Sequence, residues 1–212
     1  GANNTFNIDF SSNFLLIDDG PVIDALDIPL RRTVTHFDVS KHSLSPLDGI
    51  DYQRARDFVA IINAIFPEGE NTLTRKNSTF ILLEALLKEP KSLDNLLSPD
   101  SKDPARQDAY QKIQTLLLSP VLRSVLGKPT NFTLKKTTLR LDRAMLGDFD
   151  AFVIASFLVS QFKGHVIIPD FGFYGWDFHT SLIRQNRLTA GINYLAEVRS
   201  PTLQQALLTL PQ

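Results

Sequence analysis

A three-layer α/β fold, with a mostly parallel central sheet and helices on both of its faces, is the architecture that this 212-residue sequence predicts. Short apolar runs ending in carboxylates alternate with longer segments of helical periodicity, the order that builds a parallel sheet. The runs FLLIDDG and GHVIIPD are apolar at successive positions, as strands covered on both faces must be. The stretch DFDAFVIASFLVSQF is apolar around most of its circumference, which suits a helix pressed between a sheet and other helices.

In chain order, strands are expected over residues 13–18, 33–38, 137–142, 165–169 and 192–197, with the fourth central in the sheet because Val166, Ile167 and Ile168 are apolar toward both faces. Asp51 reads as the N-cap of a helix that places Ala55, Phe58, Ile62 and Ile65 on one side and stops at Pro67. KNSTFILLEALLK is a second helix. Asp103 caps a third, Pro104 takes its first position, and Pro120 ends or kinks it. WDFHTSLIRQNR reads as a helix, and Ser200 with Pro201 opens a closing one.

Hydrophobic residues form 43% of the chain, enough for one large core, so a single domain over 1–212 is expected. Cysteine is absent, which excludes disulfides, thiolate metal sites and a cysteine nucleophile. The apolar runs are too short to span a bilayer and no leader pattern is seen, so a cytoplasmic protein is expected. Residues 1–70 hold 11 acidic and 5 basic side chains, and the remainder 12 and 17, which permits a nucleic-acid surface on the later part without requiring one.

Ligands of open parallel sheets bind beyond the carboxyl ends of the strands, which singles out Asp18, Asp19, Asp38, Asp170 and Glu197. Each of them serves equally well as a cap of the following loop or helix. The four histidines lack metal-ligand spacing, no Gly-x-Ser-x-Gly elbow exists, and no metal site is expected. The rings of Phe171, Phe173, Tyr174, Trp176 and Phe178 read as a plug over the end of the sheet.

The stretch from His165 to Leu207 resembles the second half of the RecA-like motor domain of conjugative coupling proteins, HerA and FtsK, a P-loop NTPase-like core. In that superfamily a hydrophobic strand ends in the Asp-Glu of Walker B, a helix with an arginine and a glycine follows, and the next strand ends in a sensor glutamine. The resemblance implies Asp170, Arg187, Gly191 and Glu197 at those positions. FLLIDDG is similar to the family's strand after the nucleotide helix, and Ser45, Pro46 and Leu47 to its Asn-Pro-Leu-type loop.

Departures from the pattern point to degenerate Walker motifs and an ATPase-like domain that is not an active ATPase. A phosphate-binding loop needs spaced glycines, a lysine and a hydroxyl, and the nearest approach, LGKPT, has Pro129 at the hydroxyl position and reads as a helix-ending turn. Phe171 replaces the Walker B glutamate and has no proton-accepting group. Arg184 and Arg187 stand three apart, as a finger into a neighbouring site would, or as two solvated helix arginines. Lys128, Lys135, Lys136 and Arg140, with Arg123 and Arg143, either track DNA phosphates or line a solvated edge strand, the favoured reading.

The resemblance thus implies a structural or regulatory subunit of a DNA-processing or phage-type assembly, with DNA or a DNA-processing complex as partner, possible oligomerisation, and no cofactor. The first alternative is part of an active DNA translocase whose Walker A segment lies upstream, with ATP and Mg as cofactors. The second is a small-ligand binding module with no DNA role.

Overall fold

The computed structural model describes residues 11–26, 32–67 and 73–191. Among these residues the strands are β1 (Phe14–Asp18), β2 (Thr35–Phe37), β3 (Lys136–Arg140), β4 (His165–Ile168) and β5 (Leu188–Ala190). They form one sheet in the order β2-β3-β1-β4-β5, and every pairing is parallel. An α/β fold with a parallel sheet is therefore what the chain adopts.

Four strands fall where the sequence places them, but β4, expected at the centre, lies one place from it, between β1 and β5. The middle strand is β1, in which Phe14 to Ile17 are at most 1% exposed, so both of its faces are covered. Leu16 sits level with Thr138 on β3 and Ile167 on β4. On one face Phe14, Leu16 and Ile167 form a cluster with Ile23 and Val34, and Val22 and Leu26 pack against it. The fifth strand begins earlier than expected, at Leu188, and the expected range 192–197 lies outside the described residues, as does the closing helix.

Reading the basic β3 as a solvated edge is corrected. Thr137, Thr138 and Leu139 are fully buried between β2 and β1, because the two adjacent threonines have hydroxyls that find partners within the sheet. Thr138 Oγ1 meets His36 Nδ1, and Thr137 Oγ1 accepts from the Lys135 backbone N–H at 3.1 Å.

Contacts divide the chain into two compact units, one of residues 1–38, 133–155 and 162–212, the other of 39–132 and 156–161. The first contains the sheet together with α1 (Pro21–Asp24). The second holds α2 (Tyr52–Ile65), α3 (Leu73–Leu86), α4 (Pro104–Leu118) and α5 (Pro120–Leu126). As the sequence indicates, Asp51 caps α2 by accepting from the Arg54 N–H at 2.8 Å, and Asp103 caps α4 at Ala105. Ser119 and Pro120 end α4 and begin α5, with Ser119 Oγ accepting from the Leu122 N–H. α3 packs against both α2 and α4, burying Ser78, Leu82 and Leu86.

Beyond β3 the chain forms α6 (Arg143–Leu146) and then α7 (Asp148–Gln161), joined at Gly147, whose φ of +84° favours glycine. Residues 151–159 of α7 are all buried, which fits its uniformly apolar sequence. Two short helices follow β4, α8 (Phe171–Tyr174) and α9 (Thr180–Arg184), separated by a 3₁₀ turn at Asp177–His179. The expected continuous helix over 176–187 is thus broken, and Asn186, with φ +54°, turns the chain into β5.

Candidate functional site

The carboxyl ends of β1 and β4 lie side by side, and the adjacent residues Asp18 and Asp19 part company there. Asp18 is buried, and its Oδ2 accepts backbone N–H groups of Gly20 (3.0 Å), Val22 (2.8 Å) and Ile23 (3.1 Å). Through that oxygen it caps α1. Gly20 makes the turn possible, because its φ of +144° is strained for any residue with a side chain.

Asp19 faces outward from the strand end into a polar cluster. Arg143 Nε donates to Asp19 Oδ2 at 2.9 Å, Nη2 lies 2.7 Å from the same oxygen as an ion pair, and Nη2 donates to Asp170 Oδ2 at 2.8 Å. The phenol of Tyr174 donates to Asp19 Oδ1 at 2.8 Å. The Arg143 guanidinium carbon lies 4.2 Å from the centre of the Phe173 ring, within the range of a cation–π contact. A single arginine therefore links the ends of β1 and β4 and is stacked in place.

Local sequence explains how Arg143 arrives there. Pairing of β3 with β1 continues one step past the strand, through the Leu141 N–H to Asp18 O bond at 3.0 Å. Asp142 then caps α6, accepting from Ala144 and Met145, and the first helical side chain is directed at the end of the sheet. Burial opposes the charge on Arg143, yet Asp19 and Asp170 outweigh it and leave the guanidinium more firmly protonated than usual. Burial, followed by the hydrogen bond to Asp19, pushes the Tyr174 phenol well above its ordinary value.

Asp170 does not cap the following α8 with its side chain; the Arg143 guanidinium holds it. The aromatic plug is present in part. Phe171 and Tyr174 are buried, Phe173 and Trp176 are half-buried against Phe152, and the side chain of Phe178 lies outside the described ones. Behind them, His179 is 1% exposed and accepts the Trp176 backbone N–H at Nδ1, 3.0 Å away. Burial lowers it to about 3, so the ring is neutral.

The other nominated residues do not join this cluster. Asp38 follows β2, two strands from β1 and so roughly 10 Å along the sheet. Glu197 lies outside the described residues. Arg187 is not on a helix face with Arg184. α9 ends at Arg184, and Arg187 donates to the carbonyls of Gly164 (3.0 Å) and Phe162 (2.8 Å), pinning the entry to β4. His165 has a structural partner, with its Nε2 2.6 Å from Thr189 Oγ1.

The basic series is also divided. Lys135 and Lys136 stand at the amino end of β3 and Arg140 at its carboxyl end, about 13 Å from Lys136 at strand rise. Arg140 is paired with Asp24, and Arg123 with Asp94 at 3.3 Å. Lys128 belongs to the helical unit, in the LGKPT turn. There Gly127 closes α5, Ser43 Oγ donates to Pro129 O at 2.6 Å, and the Ser45 N–H bonds to Thr130 Oγ1 at 2.9 Å. That turn is a structural brace between two loops.

Sequence reasoning grouped Arg143 with the DNA-facing cations and Tyr174 with the plug. The usable signal was position: a charged residue just past one parallel strand lies at the same sheet end as carboxylates just past its neighbours. Among the described residues, no three His, Asp or Glu side chains gather as a metal site would require.

Fold and site together define an α/β protein with a parallel sheet whose strand ends carry an internally paired Arg–Asp–Asp–Tyr cluster beside buried aromatic rings. Comparison with protein-family models, curated proteins and solved structures returned no match. None of the described helices is long and apolar enough to cross a membrane.

Proposed function

We propose that this chain is a non-hydrolysing domain of the P-loop NTPase-like, three-layer type, acting as a structural or regulatory component of a DNA-processing or phage-type assembly. Supporting this reading, β1 and β4, two of the segments that resemble DNA-pumping ATPases, are parallel neighbours in the sheet. The DNA-processing context rests on that resemblance.

The observation that carries the loss of hydrolysis is the Arg143 bridge. Asp170, at the Walker B position, gives its Oδ2 to the chain's own guanidinium, and Asp19 shares that cation. Mg-ATP bound there would have to displace a stacked, doubly paired arginine and then meet two carboxylates. Phe171, where a water-activating glutamate would stand, is buried and has no polar atom on its side chain.

Isothermal titration of the protein with ATP and magnesium tests the reading, and no saturable heat is expected at millimolar ligand. Magnesium-dependent binding that disappears in Asp170→Asn would overturn it and favour an active motor.

A further inference from the structure

Helix α3 buries Ser78, Leu82 and Leu86 and turns its opposite face outward, where Leu73 is 72% exposed, Phe80 63% and Leu87, just past its end, 45%. At 100° per residue, Leu73 and Leu87 lie about 20° either side of Phe80, and Lys76 and Glu84 about 40° either side. Five residues thus form one stripe, about 21 Å long, with apolar positions every seven residues and one charge of each sign between them.

The order of the stripe is symmetric about Phe80. Leu73 and Leu87 are seven residues before and after it, and Lys76 and Glu84 four before and after. A second α3 laid antiparallel across the first, with a two-fold axis at Phe80, places each Leu73 level with the other copy's Leu87. The same operation sets each Lys76 level with the other copy's Glu84, and Phe80 against its own image. Isologous interfaces require this self-complementarity, since every contact across a two-fold axis occurs twice. An unrelated partner would impose no such symmetry on the sequence.

We propose that the α3 face is a homodimerisation surface at which two copies of this chain pair antiparallel about Phe80. Among the described residues Glu84 pairs with Lys88, one turn away at 3.1 Å, with the two side chains 45% and 72% exposed. Such a pair is worth little and leaves Glu84 available to the second copy. One helix stripe covers much less than the roughly 800 Å² per partner of a standard stable interface, so association is weak.

Sedimentation velocity of the full chain from about 5 to 500 μM tests the proposal, with circular dichroism confirming the fold of each variant. The expected result is a monomer–dimer equilibrium that Phe80→Glu abolishes. Lys76→Glu and Glu84→Lys each weaken it about tenfold, because each converts two attractive pairs to repulsive ones, and the double exchange restores it. A monomer throughout, as expected if the chain's own residues cover the stripe, overturns the proposal. So does a dimer indifferent to Phe80→Glu, or a double exchange as weak as the single changes.

Discussion

Replacing Arg143 by methionine keeps the length and apolar bulk of the side chain and removes its charge, leaving Asp19 and Asp170 without their common cation. The two ion pairs are not equal. The Arg143 and Asp19 side chains are 29% and 28% exposed and joined by the Nε hydrogen bond and a 2.7 Å ion contact from Nη2, whereas Asp170 is 44% exposed and receives one hydrogen bond. A charge-assisted contact of the first kind is worth about 1–2 kcal/mol, and the solvent-screened second about 0.2–1 kcal/mol. Stacking on Phe173 adds about 0.5–1 kcal/mol. The expected loss is about 2–3 kcal/mol, or roughly 5–10 °C in Tm for a chain of this size, provided unfolding is two-state. Thermal and urea denaturation of Arg143→Met, Asp19→Asn, Asp170→Asn and the two double variants measure it. The Arg143–Asp19 coupling should exceed the Arg143–Asp170 coupling, and only the smaller one should fade in 1 M salt. A neutral Arg143→Met, or couplings in the reverse order, would refute the assignment of the cluster as a built-in latch.

Acid destabilisation follows from His179. Its folded value, about 3, lies below the ordinary 6.5, so the unfolded chain takes up the proton first. This contribution is fully present above pH 6.5 and lost as pH falls toward 3, amounting to about 2 kcal/mol by pH 5. The Tm of His179→Gln should therefore drop less than that of the parent protein between pH 7 and 5, and parallel curves would count against the argument. Asp18→Ala removes the acceptor of three backbone N–H groups at the start of α1 and should cost about 2–4 kcal/mol in urea unfolding, well above an exposed cap. A cost below 1 kcal/mol would mean that water replaces the carboxylate.

What the sequence determines by itself is local and periodic. Apolar runs at 14–18 and 165–168, helical spacing after Asp51 and Asp103, and the all-round apolar stretch 148–161 reflect hydrogen bonding and burial that each segment meets largely alone, so they can be read without a partner. Tertiary structure decided the rest. Strand order made basic β3 an interior strand, because two buried threonines found hydroxyl and imidazole partners more than a hundred residues away. It also gave the adjacent Asp18 and Asp19 opposite roles, one turned to a helix start and the other to an arginine 124 positions later. Arg187 reads as a helix-borne finger but holds two carbonyls, since Asn186 reverses the chain before it. Charge and ring type are written in the sequence, but which carboxylate meets which cation depends on the register and order of parallel strands, and no single segment specifies these.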